Sequence, residues 1–259
     1  MSTFHIPPLA AEPLFEIGGI TITNTIVNAW LAIIIFFVLG ILIKRNIRSK
    51  PGKLQNAAEY ILELVLPYFD QVTGDRKKTI KFLPIVGAIF FFILLSNWLG
   101  LLPGTGSILV GESPLLRPAA TDLNLNLAMA LVSVISSHLF GFAAIGFFSH
   151  VGKFVQLKKL FSSITKGPLA IFTAFVELFV GLLEIIAEIA KVLSLSLRLF
   201  GNILAGEVLL SVMASLFAAL VPAPFMLLEL LVGLIQASVF AMLTLVYLEV
   251  ATSVPHGNH

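Results

Sequence analysis

The stretch Glu188-Ile189-Ala190-Lys191-Val192-Leu193-Ser194-Leu195-Ser196-Leu197-Arg198-Leu199-Phe200-Gly201-Asn202-Ile203-Leu204-Ala205-Gly206-Glu207 is apolar enough for a membrane, yet it carries two acids, a lysine and an arginine. It lies within 53 residues, 168 to 220, that hold no internal proline. One straight helix of that length would measure roughly 80 Å, against a hydrocarbon core of about 30 Å. The segment must therefore fold back within the membrane or run strongly tilted. Glu177, Glu184, Glu188, Lys191, Arg198 and Glu207 all lie on it. Each is expensive in hydrocarbon unless it faces protein or water.

At helical spacing Glu177, Glu184, Glu188 and Lys191 fall within about 80° of Arg198, giving one charged stripe. Glu188 and Lys191, three apart, are placed to neutralise each other. Arg198 has no acid a turn away in either direction, since those positions are Ser194, Leu195, Gly201 and Asn202. A guanidinium stays charged in proteins, so its counter-charge must come from elsewhere. An arginine snorkelling to a headgroup would suit a helix end, but apolar sequence runs on beyond this one. Ser194, Gly201 and Ala205 share its face, and small residues let another helix approach closely. That face is suited to a carboxylate on a partner helix.

Glu207 sits about 13 Å further along the axis and on the opposite side. If 168–220 and 225–250 form an antiparallel hairpin, pairing Arg198 with Gln236 centres the turn at 217, and pairing Glu207 with Glu229 centres it at 218. The two pairings agree, with residues 213 to 224 as the connection.

Outward from this hairpin the whole chain reads as membrane protein. Of 259 residues, 58% are hydrophobic and 12% charged, about half the charge of a soluble domain, and mean hydropathy is +1.02. No polar block is long enough for a separate soluble domain, so 1–259 is read as a single membrane domain. Residues 1–26, rich in proline and glycine, read as an external, mostly irregular lead-in. Apolar runs at 27–43, 82–101 and 123–148 read as spans, and 54–69 as an amphipathic helix on the membrane surface. Nine of the sixteen basic residues fall between Lys44 and Lys81 and four between Lys153 and Lys166, which turns both loops to the cytoplasm. The connection 102–122, with a lone Arg117, is then external.

Cysteine is absent and the net charge is only +2, so disulfides, thiolate metal sites and nucleic-acid binding have no support. His138 and His150 have no ligand cluster around them; no metal and no cofactor is expected. His138 reads as a polar residue inside the bundle, and His256 and His259 as part of the C-terminal tail.

The run Leu195 to Glu207 closely resembles the signature of subunit a of F-type ATP synthases. The resemblance extends to Pro13-Leu14-Phe15, to Gly18 through Thr25, to Ser96-Asn97-Trp98-Leu99-Gly100-Leu101-Leu102-Pro103, to Thr121-Asp122-Leu123-Asn124, and to Gln236-Ala237 and Leu245 through Leu248. It implies an all-α integral membrane protein: upright helices, a surface amphipathic helix and two long, strongly tilted C-terminal helices (168–250) packed against a rotor ring. It implies a stator subunit that offers two offset proton half-channels and does not itself make or hydrolyse ATP. Arg198 would be the coupling arginine, with Gln236 beside it. Glu207 and Glu229 would line the outer half-channel with Asn97 near them, and Glu184 the inner one, with Glu177 and Glu188 as weaker candidates. Asn202 would join the proton path, and Ser194, Gly201 and Ala205 would face the ring. The family often places one histidine and one glutamate at 207 and 229, whereas both are glutamate here. Implied partners are the c-ring subunits, the peripheral-stalk b subunits, the remaining synthase subunits and membrane lipid, in a bacterial inner or plasma membrane rather than a mitochondrial one. The rival reading is a self-contained proton or cation channel or secondary transporter, in which the acids form an uninterrupted relay.

Overall fold

Two consecutive glycines shape the first element. Gly18 and Gly19 have φ of 59° and 84°, the left-handed pair that a tight two-residue hairpin turn requires. They join β1 (Pro13–Ile17) to β2 (Ile20–Thr23) in an antiparallel ribbon. The lead-in expected to be mostly irregular thus holds a hairpin: glycines that read as breakers in sequence are here the turn itself. The computed structural model describes residues 8, 10–47, 51–102, 108–111, 113–147, 168–216 and 222–253.

Among the described residues six long helices follow: α1 (Asn24–Arg45), α2 (Lys53–Thr73), α3 (Arg76–Leu101), α4 (Leu123–Ile145), α5 (Pro168–Leu216) and α6 (Pro222–Thr252). A short ribbon, β3 (Leu109–Val110) with β4 (Ser113–Pro114), and a 3-10 turn at Ala119–Thr121 lie between α3 and α4. The protein is an all-α, multi-pass integral membrane protein, and among the described residues four helices are long and apolar enough to cross: α1, α3, α4 and the Ala223–Thr252 part of α6. The expected spans 27–43 and 82–101 lie inside longer helices. In the span expected over 123–148, α4 ends at Ile145, where Gly146 at φ 86° breaks it.

Local chemistry sets the other boundaries. Gly74, left-handed at φ 66°, closes α2, and the next residue, Asp75, caps α3 by accepting from the Lys77 amide at 2.9 Å. Asp122 caps α4 in the same way through the Asn124 amide at 2.9 Å. With 49 residues in one unbroken helix, α5 is about 73 Å long and does not fold back. The connection expected over 213–224 is therefore shorter, since α5 continues to Leu216 and α6 begins at Pro222.

The core lies along α6. Ala237 and Phe240 pack with Val192, Leu195, Leu199 and Ile203 of α5, Ala130 and Val134 of α4, and Ile89 and Ile93 of α3. Ala241, Leu245 and Leu248 pack with Phe69 of α2 and Phe82 and Val86 of α3. Large apolar side chains such as Ile34 and Phe37 of α1 and Ile135 and Leu139 of α4 point outward, as helices facing lipid require. One end carries Lys44 and Arg45 of α1 and Arg76, Lys77 and Lys78 of α3. Lys78 Nζ there meets Glu249 Oε1 at 2.7 Å, tying the start of α3 to the end of α6. By the positive-inside rule this is the inner, cytoplasmic end.

Candidate functional site

The two sides of α5 differ. Leu195, Leu199 and Ile203, spaced four apart, are buried against α4 and α6, whereas Ser194, Arg198, Gly201, Asn202 and Ala205 are exposed along the opposite edge. Among the described contacts, Arg198 donates from Nη2 to Ser194 Oγ at 3.3 Å and meets no carboxylate. Gln236 of α6 joins Arg198, Leu195, Leu199, Val239 and Phe240 around a small crevice between the two helices.

Nine residues on, Glu207 has a partner that the sequence did not disclose. Arg117 Nε donates to Glu207 Oε1 at 2.8 Å and Oε2 at 3.1 Å, and Nη2 donates to Oε2 at 2.8 Å. The remaining donors bind main chain, Nη1 to Ala10 O at 3.1 Å and Nη2 to Pro8 O at 2.8 Å. Arg117 is itself only 2% exposed. The signal available in sequence was its being the single basic residue of the 102–122 connection.

The segment that presents Arg117 is held by polar side chains of α1 and α4 and by the close approach of Gly100. Asn28 Nδ2 donates to both Ser96 O and Arg117 O, at 2.7 and 2.8 Å. Thr25 donates to Asp122 Oδ2 at 3.1 Å, and Asn126 Nδ2 donates to Ala120 O at 2.6 Å. Gly100 lies so close against Pro118 that a Cβ there would collide with it. Four stretches far apart in sequence, around residues 24–28, 96–100, 117–122 and 126, thereby build one buried polar layer at the outer end.

Glu229 of α6 is 5% exposed, its carboxylate lying directly over Gly206 in space a Cβ would occupy. Glu207 and Glu229 therefore lie at one level of the α5–α6 pair. Glu229 Oε1 has no hydrogen-bond partner within the described protein, and neither has the side-chain amide of Asn97, which is 1% exposed. Asn97 packs near Gly233, one turn from Glu229, while its neighbour Trp98 donates from Nε1 to Leu230 O at 3.1 Å.

Toward the inner end Glu184 is half-buried. Glu188 pairs with Lys191 at 2.6 Å, as their spacing suggested, and His138 Nε2 of α4 lies 3.6 Å from the other carboxylate oxygen. The side chain of Glu177, the histidines His150, His256 and His259, and the basic loop Lys153–Lys166 lie outside the described residues.

The family described as ATP synthase A chain matches residues 26–249. The chain is 30% identical over 244 residues to "ATP synthase subunit a" of Moorella thermoacetica, covering 94% of this chain and 96% of that one. It is 32% identical over 246 residues to the protein of the same name from Gloeobacter violaceus, covering 95% and 90% respectively. A Bradyrhizobium protein named "ATP synthase subunit a 2" is 30% identical over 244 residues, covering 94% and 95%.

Proposed function

This chain belongs to the ATP synthase A chain family, and from that premise we propose that it is the stator subunit whose two offset half-channels deliver protons to a rotating ring of carboxylate-bearing c subunits. The observation that carries the reading is the exposed Arg198 edge of α5, a permanent cation on small residues with no acid of its own chain beside it among the described contacts. Such a cation in a membrane calls for a carboxylate from outside the chain. The acids divide on either side of it. Glu207 and Glu229 line the outer half-channel, with Asn97 beside them, and Glu184 the inner one. Gln236 and Asn202 flank the arginine, and Ser194, Gly201 and Ala205 allow the ring to approach.

The arrangement does chemistry by switching one charge. A protonated ring carboxylate is neutral and travels through lipid, while an ionised one is stabilised beside the guanidinium. Arg198 therefore favours proton release next to it and, as a fixed positive charge, bars protons from passing directly between the half-channels. The membrane potential drives the cycle with about 2.3 kcal/mol per charge per 100 mV. The carboxyl pair at 207 and 229 passes protons between acid and carboxylate, a role that a histidine and a glutamate share in many relatives. Peripheral-stalk b subunits and the rest of the synthase complete the assembly in a bacterial plasma membrane.

The test is proton-driven ATP synthesis in vesicles that hold the assembled complex. Arg198→Ala should reduce synthesis at least about 100-fold, the scale of losing a preorganised charge, with subunit content maintained. Arg198→Lys should recover little, because lysine lacks the planar fork. Near-normal synthesis by the alanine variant would overturn the assignment.

A further inference from the structure

The Glu188 carboxylate is shared between two helices. Lys191 Nζ holds Oε1 at 2.6 Å within α5, and His138 Nε2 of α4 stands 3.6 Å from Oε2. Lys191 also lies over the Tyr247 ring of α6, 5.2 Å from its centroid, so three helices converge here. The side chains of His138, Glu188 and Lys191 are 25%, 19% and 29% exposed, so none of the three is sealed inside the chain. Among the described residues, the titratable and charged groups on this side are Glu184, Lys191 and Arg198 of α5, His138 of α4 and Tyr247 of α6. Glu188 lies about 15 Å to the inner side of Arg198, with Glu184 a further turn out.

A lysine and glutamate alone would form a static pair. The imidazole changes that, because histidine is the side chain that ordinarily exchanges a proton near neutral pH. We propose that His138 and Glu188 form a proton-collecting relay at the inner end, a reading that rests on the function proposed above. The imidazole takes a proton from the inner water phase. After closing to about 3 Å, or through one water, its Nε2–H bond breaks as an O–H bond forms at Glu188 Oε2. The imidazole returns to its neutral form, the carboxylate becomes neutral, and the positive charge of His138 is discharged in one transfer. Lys191, by holding Oε1, keeps Oε2 turned to the imidazole. The proton then leaves Glu188 through the inner half-channel for an ionised ring carboxylate, its O–H bond breaking as the proton is passed on and one forms there, and the restored Glu188 carboxylate accepts the next. Glu184, Glu188 and His138 so make a funnel of exchangeable sites rather than a single entrance.

A relay matters most when free protons are scarce. The experiment is ATP-driven proton uptake by inside-out vesicles containing the whole complex, with the bath, which contacts the inner face, varied from about pH 6 to about pH 8.5 around histidine's usual range. For His138→Gln the deficit relative to the parent should grow from within about twofold at the acid end to about tenfold at the alkaline end, and added imidazole should restore part of the loss. Glu188→Gln should show the same alkaline deficit without rescue, since the acceptor is gone. A His138→Gln profile parallel to the parent's, or a uniform loss that imidazole does not relieve, overturns the relay; should that variant not assemble, an alkaline-independent Glu188→Gln profile does so instead. Arg198→Ala measured in the same vesicles separates the two readings. Uptake by that variant would sink the function itself, whereas blocked uptake alongside a parallel His138→Gln profile sinks the relay alone.

Discussion

The outer and inner ends of the α5–α6 pair use carboxylates in opposite ways. At the outer end Glu207 has both oxygens on Arg117, whose other donors reach the main chain at Pro8 and Ala10, and Glu229 is seated over Gly206. At the inner end Glu188 is shared by the side chains of Lys191 and His138, all partly exposed. Charge anchored to backbone cannot shift unless the fold shifts, whereas charge anchored to side chains re-partners by rotamer changes. The first end is built as a fixed mouth and the second as an adjustable one.

The largest effect should come from emptying the outer mouth. Glu207→Gln combined with Glu229→Gln should cut passive proton flow through the membrane sector about 100-fold or more, the scale of losing acid–base transfer, while Glu207→His keeps measurable flow. Parent-like conduction by the double variant would remove both residues from the path. Next, Arg117→Gln leaves Glu207 facing a neutral amide and should destabilise the protein by about 3 kcal/mol, read as a lower thermal midpoint of the purified complex. Unchanged stability would erase the claimed rigidity of the outer end. Gly206→Ala is subtler. Its Cβ overlaps the Glu229 carboxylate, the flexible tip of a side chain, so the fold should survive. Proton flow should drop about fivefold, because small misplacements of a transferring group are costly, and subunit content distinguishes this from misfolding. Smallest of all, Lys78→Ala at the inner rim, where the lysine side chain is 40% exposed, should change stability by under about 1 kcal/mol. A larger shift in thermal midpoint would mean that the inner rim is as fixed as the outer mouth.

Much of this was legible because helices in lipid advertise themselves locally. Uninterrupted apolar runs mark α1, α3 and α4, and i, i+4 spacing alone predicts that Ser194, Arg198, Gly201 and Ala205 share an edge. The level of Glu207 with Glu229 and of Arg198 with Gln236 rested on two premises, that α5 and α6 are antiparallel and that these are the residues paired across them. What resisted reading was everything that depends on distant pairing. Arg117 and Glu207 are 90 residues apart, and Thr25 and Asp122 are 97 apart. No periodicity links such positions, so Arg117 read as a lone charge in a loop and His138 as a generic polar residue. Gly18-Gly19 failed for a different reason: the same dipeptide that disrupts a helix closes a hairpin, and only its φ values decide between the two.

The backbone bonds of Arg117 also order events during synthesis. The carbonyls it binds, at Pro8 and Ala10, leave the ribosome 109 and 107 residues before it, and its acid follows 90 residues after it. Until α5 has been made and inserted, the guanidinium can hold the main chain at Pro8 and Ala10 but lacks the Glu207 carboxylate. The outer mouth is therefore locked only once α5 is in place, and a chain that stalls before residue 207 carries an unclosed latch that distinguishes it from a finished one.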